Sequence, residues 1–270
     1  MSYNTPEISQ QDGAPVELLT FTYGPVTYLY TTAEDDYAVG SDTYTASAIT
    51  ISAVEASNEA ARNNLEIEVP RDNPIALLFR VSPPTQVIAV TYGRVHRTDD
   101  TDEVLTPFVG RVLNADWDGP RAKLVCEPIS RSQSRNGNYR KYARTCPYAL
   151  YGSACGVSLA AFQSSTTVSS VSGLVLNVAA VNPAYSYRGG FVSWTDDDGV
   201  EQFRFITSQT TTALTLNIPF QGIAGTDTVL IAPGCDHSLA TCQSDFANGL
   251  NYGGFPKVPT KNPFDGTPIY

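Results

Sequence analysis

Residues 65–69 read LEIEV, and their alternation decides the class of the fold. Leu65, Ile67 and Val69 share one face of an extended chain, and Glu66 and Glu68 share the other. That is the period of a half-buried strand, not of a helix. The same reading extends outward to VTYLY (26–30), TQVIAVTYGRV (85–95), EQFRFI (201–206) and ALTLNI (213–218), all rich in β-branched and aromatic residues. Gly, Pro, Asn and Asp gather between these runs, in NADWDGP (114–120), NPAYSYRGG (182–190) and DDDG (196–199). The expected fold class is mainly β. Two short helices are expected. RDNPIALLF (71–79) offers Asp72 or Asn73 as a cap before Pro74. CQSDFANGLNYGG (242–254) sets Phe246 and Leu250 one turn apart.

The chain has 270 residues, 42% hydrophobic and 16% charged, which fits a folded protein of one large or two ordinary domains. Three blocks emerge. Residues 1–130 form a β-rich domain. Residues 157–232, which contain no cysteine, form a small inserted β-domain, a barrel or sandwich of about five strands. Residues 131–156 and 233–270 together form a discontinuous, loop-rich cysteine region, whose proline-rich end (255–270) is expected to run extended over another surface. The formal charge of −10, from 27 acidic and 17 basic residues, repels phosphate at long range. It argues against nucleic-acid binding as the main task, but not against a channel through which DNA passes. The opening MSYNTPEISQQDGAPVELL lacks the pattern of a signal peptide, and no run approaches the roughly 18 apolar residues of a membrane helix. Folding in a reducing cytoplasm is expected, where cysteines serve more often as ligands or core residues than as disulfides. Five cysteines is also an odd count for a complete disulfide set.

Four of them stand in two wide pairs: Cys146 and Cys155 in CPYALYGSACGV (146–157), and Cys235 and Cys242 in PGCDHSLATCQSDF (233–246). Structural zinc prefers ligands about two to four residues apart within a pair. An iron–sulfur cube accepts thiolates from scattered loops. On spacing alone a cluster, a zinc site, buried thiols and two disulfides all stay open. Cys126, in AKLVCEPI (122–129), reads as a core cysteine.

CPYALYGSACGV, followed far downstream by PGCDHSLATCQSDFANGLNYGGFPKVPTKNPF (233–264), closely resembles the C-terminal signature of phage tail-tip hub proteins. The relatives are the gene transfer agent hub family and its phage homologues, and the arrangement is similar to tail-tip protein L of phage lambda. The resemblance is densest over 140–157 and 233–264, about a fifth of the chain. It implies a 4Fe-4S cluster held by Cys146, Cys155, Cys235 and Cys242. It implies a homotrimeric hub in the virion, at the distal end of a long non-contractile tail. Its partners would be the distal tail protein ring, the tape measure protein and the central fibre or receptor-binding proteins. The hub would be assembled in the host bacterial cytoplasm and would surround the channel used by tape measure and DNA during ejection.

Rival readings remain. Cys235 with His237 or His96 as base would make a tail-associated cysteine peptidase or cell-wall hydrolase. The block 157–232 would make a glycan-binding receptor module, with Tyr185, Tyr187, Phe191 and Trp194 lining a sugar site or packing a core. Asp197, Asp198 and Gly199 read as a hairpin tip in preference to a calcium loop. TDDTDEV (98–104) is a second acidic loop. Arg131, Arg135, Arg140, Lys141 and Arg144 form a basic strip, either a solvated linker or a docking strip for an acidic neighbour.

Overall fold

A computed structural model of the chain describes residues 7–9, 13–54, 64–98, 103–134 and 142–259. The chain divides into two compact units: residues 1–135 with 195–202, and residues 136–194 with 203–270. The fold is mainly β, and every run cited above as a strand contains one, though 85–87 and 217–218 lie outside their strands. No described helix is long and apolar enough to cross a membrane.

The first unit is built on one sheet. Its strands are β1 (Pro15–Tyr23), β2 (Val26–Thr31), β3 (Tyr37–Val39), β4 (Asp42–Ala46), β5 (Thr50–Ile51), β6 (Leu65–Pro70), β7 (Ile88–His96), β8 (Leu105–Asp118) and β9 (Arg121–Pro128). Among the described residues their order is β3-β4-β2-β1-β7-β8-β9-β6-β5. β2 and β4 pair in parallel, and β6 pairs with β9 antiparallel. The alternation in LEIEV appears as expected. Leu65, Ile67 and Val69 are at most 1% exposed, and Ile67 stands opposite the equally buried Leu124. On the other face Glu66 pairs with Lys123 (2.9 Å) and Glu68 with Arg121 (3.4 Å). Cys126 lies in the same core, where burial pushes its thiol up to about 12. Between β6 and β7, α1 (Pro74–Leu77) is capped by Asn73, not Asp72. The Asn73 side chain accepts from the Ile75 N–H at 3.0 Å.

The second unit holds most of a closed barrel of β10 (Ser164–Ser172), β11 (Val175–Val178), β12 (Phe191–Thr195), β13 (Glu201–Gln209), β14 (Ala213–Leu216) and β15 (Thr228–Ala232), of which residues 195–202 are grouped with the first unit. Their order round the barrel is β10-β11-β14-β13-β12-β15. That is six strands where about five were expected. The link between β12 and β13 is the hairpin read from DDDG. Asp196 Oδ1 accepts from the N–H groups of Asp198 and Val200 (3.2 and 2.9 Å), and Gly199 has φ +76°. The Asp196 carboxylate is therefore engaged in shaping a turn. β13 faces a direction its composition does not suggest: Gln202, Arg204 and Ile206 are buried, while Phe203 and Phe205 are 37% and 63% exposed. Arg204 is satisfied inside. It donates to the carbonyls of Pro219 (3.2 Å) and Phe203 (2.9 Å) and lies over the Phe220 ring.

Ile67→Ala is expected to remove about 2–5 kcal/mol from the sheet unit, the cost of an unfilled core cavity. Glu66→Gln on the opposite face should change it by less than about 1 kcal/mol, as for an exposed ion pair. Denaturant unfolding of both variants checks the contrast.

Candidate functional site

The barrel begins and ends beside the two cysteine segments. Cys146 and Cys155 precede α2 (Leu159–Phe162) and β10. Cys235 follows β15 directly, and Cys242 sits on α3 (Leu239–Ser244). Ser238 caps α3 by accepting from the Thr241 N–H at 3.2 Å. The helix expected over 242–254 therefore starts earlier and ends earlier. Phe246 lies beyond it and is buried, whereas Leu250 is fully exposed in a 3-10 turn. The two do not share a helical face, because Ala247 takes a left-handed φ of +48° and breaks the helix between them.

All four cysteines line one small apolar cavity of about 20 Å³, with Tyr148, Leu150, Val157, His237, Ser238 and Phe246. That is close to the volume of one water. All five cysteines of the chain are free thiols, so the two-disulfide reading is not realised. Among the described residues no three His, Cys, Asp or Glu side chains are grouped as they would be around a metal ion. The cavity wall contains no Lys or Arg to balance thiolate charge. Burial, followed by the neighbouring thiols, raises the pKa of Cys242. Burial also raises that of Cys235, partly offset by the N–H of His237.

Backbone and side-chain hydrogen bonds hold the two segments together across the barrel. Cys146 N–H donates to His237 O (2.9 Å), and Phe255 N–H donates to Ala143 O (2.9 Å). The Tyr252 hydroxyl donates to the carbonyls of Arg144 and His237. The Tyr151 hydroxyl donates to Pro233 O (2.9 Å), and Asn248 Nδ2 donates to Cys155 O (2.7 Å). Tyr142 stacks on Phe255 at 4.3 Å. Residues 255–259 are thus tied to the first cysteine segment in a turned, not extended, path, and 260–270 lie outside the described residues. Three residues here, Tyr151, His237 and Ala247, have φ of +62°, +62° and +48°. Such strain persists where surrounding contacts over-determine the backbone. Gly190 and Gly234 pass so closely that a Cβ on Gly234 would lie 2.1 Å from Arg188 O. This close approach fixes where the chain leaves the barrel for Cys235.

The other candidate residues sort out by position. His237 touches Cys235 through its backbone N–H, which donates to the sulfur at 3.3 Å. His96 is 1% exposed, lies in the first unit and is paired with Glu7 at 2.8 Å. Tyr187 and Trp194 belong to the barrel core, and Tyr185 packs against it. Phe191 instead lines an outer groove of about 470 Å³ with Tyr151, Phe203, Phe205 and Pro233. Arg131 is paired with Glu127 at 3.3 Å. Arg135, Arg140, Lys141 and most of the acidic loop 98–104 lie outside the described residues. The sequence reading did not single out Asn248, Tyr151 or Tyr252, because nothing in one sequence marks a contact with a residue about eighty or more positions away.

The raised thiols carry a sign. The folded, metal-free chain holds these protons more tightly than the unfolded chain, so their contribution is full below about pH 9 and is lost as pH rises through the raised values. The melting temperature of the metal-free chain in reductant should fall above about pH 9, and less steeply in the Cys235→Ala/Cys242→Ala variant. Gly234→Ala should cost about 1–3 kcal/mol by overpacking, read as a lower melting temperature at neutral pH.

Comparison with known proteins bears on this region. Residues 185–262, which include Cys235 and Cys242, match the family described as phage conserved hypothetical protein BR0599. An uncharacterised protein of Xylella fastidiosa (strain 9a5c) is 25% identical over 162 residues, 56% of this chain. The match spans 34%, about a third, of that relative's own length. Among solved structures, a chain of the virion of the native gene transfer agent particle superposes with a TM-score of 0.81 at 18% identity, covering 99% of this chain and 96% of that one. The expected likeness to a gene transfer agent protein is thus present as a shared fold along nearly the whole chain, and the second cysteine pair falls within a segment similar to a phage protein family.

Proposed function

We propose that this chain is a non-enzymatic structural protein of a phage-type virion: the homotrimeric hub at the distal end of a long non-contractile tail. On this reading it joins the distal tail protein ring to the central fibre or receptor-binding parts and surrounds the channel taken by the tape measure and then by DNA. The observation that carries the reading is the meeting of four free thiols, from segments on either side of a closed barrel, around one apolar cavity. The shared fold with a gene transfer agent virion chain and the phage family match over 185–262 support it.

Cys146, Cys155, Cys235 and Cys242 would hold a 4Fe-4S cluster. The donor set fits: four soft thiols line one apolar cavity, with no carboxylate among the lining residues. Zinc would draw all four sulfurs onto a single ion. A cube carries each thiolate on a separate iron, so its ligands can come from loops far apart in sequence. The cluster supplies four metal–thiolate anchors in a loop-rich region, and its role is structural. A cysteine hydrolase is less well supported, since His237 meets Cys235 through its backbone.

The test is made on protein purified without oxygen. About four irons per chain with matching acid-labile sulfide are expected. One zinc per chain, or free thiols without metal after anaerobic preparation, would overturn the cluster. Particles assembled without this chain should lack a completed distal tail end. Normal distal ends in such particles would overturn the hub.

A further inference from the structure

Asn248 touches both cysteine segments at once. Its Nδ2 donates to Cys155 O at 2.7 Å and lies 3.7 Å from Cys155 Sγ, a partner 93 residues away in sequence. Its backbone N–H donates to Cys242 O at 2.8 Å, and its own carbonyl accepts from Cys242 Sγ at 3.3 Å. The amide has one orientation: Asn251 Nδ2 donates to Asn248 Oδ1 at 2.8 Å, which leaves the amino group facing Cys155. The left-handed Ala247 aims the residue inward.

We propose that Asn248 is a positioning residue of the four-cysteine site: its side-chain amide locks the Cys155 loop onto the segment bearing Cys242 and supplies a hydrogen-bond donor to the Cys155 sulfur. The clamp half stands on the metal-free chain alone, and the donor half rests on the cluster reading above. In a wall without Lys or Arg, a neutral N–H such as this one can stabilise charge on sulfur. When Cys242 is a thiolate it no longer donates to the Asn248 carbonyl, but the three N–H donations made by Asn248 persist. An N–H donor to a cluster sulfur favours the more negative, reduced state.

The full-length chain carrying Asn248→Ala, Asn248→Asp or Asn251→Ala tests this. In the first arm, metal-free protein in reductant is alkylated with iodoacetamide, and the rates at Cys155 and Cys126 are read by peptide mass spectrometry. Loss of the amide donor should raise the Cys155 rate about tenfold through local opening. Cys126, buried in the other unit, should not change and reports that the first unit is intact, while an unchanged far-UV spectrum and melting temperature report that the second unit is folded. Asn248→Asp has the same size but turns an oxygen toward Cys155 O, so it should be at least as reactive as the alanine variant. A wild-type rate in Asn248→Asp would overturn the clamp. Asn251→Ala, at an exposed position, should give a smaller rise, and it carries the test if the Asn248 variants do not fold. In the second arm the cluster-loaded Asn248→Ala protein should show a more negative reduction potential and faster iron loss to a chelator. An unchanged potential would overturn the donor half. Wild-type protein that holds no iron would overturn the cluster, while the alkylation arm would still decide the clamp.

Discussion

The second unit depends on one constraint: the chain that leaves at Cys155 must come back at Cys235. A barrel closed by β15 pairing with β10 meets that requirement, because its first and last strands are neighbours. Close approach of Gly190 and Gly234, and the Tyr151 bond to Pro233, then aim the returning chain at the first cysteine loop. Only after this geometry is set do the short-range features have meaning. The cap on α3 presents Cys242, and the left-handed Ala247 turns Asn248 toward Cys155. The local strain at Tyr151, His237 and Ala247 is offset by long-range bonds, so the site and the barrel are one cooperative object.

Charge is handled locally in the first unit. Glu127 is almost buried and takes both Arg111 and Arg131, a pairing that would strand charge in the interior if either side were lost. Arg121 and Lys123 answer Glu68 and Glu66 on the sheet surface. Much of the basic complement described is thus committed within the chain, and Arg131 is not available as part of an open docking strip.

Much of this was legible in the sequence where the signal was periodic or local. LEIEV announced a strand and its buried face, DDDG a hairpin, Asn73-Pro74 a helix start, and AKLVCEPI a core cysteine. The limits were equally physical. EQFRFI looks apolar by composition, yet barrel closure turns Arg204 inward, where two carbonyls and the Phe220 ring satisfy it, and leaves Phe203 and Phe205 outside. The start of α3 was misplaced because the capping signal, Ser238 onto Thr241, competes with a more conspicuous glycine-rich run downstream. The four cysteines could be named from their motif. Their convergence, and the contribution of Asn248 to it, arises from contacts across about eighty residues or more that no single stretch encodes.

The clasp between the two segments has a mechanical meaning. The Cys146 bond to His237, the Phe255 bond to Ala143 and the Tyr252 hydroxyl join the strand of chain entering the barrel region to the one leaving it. Tension applied along the backbone from residue 142 to residue 259 therefore crosses this clasp and bypasses the 164–232 barrel. The barrel is shielded from load by a shunt at its base, and its interior need not be strong for the chain to bear force.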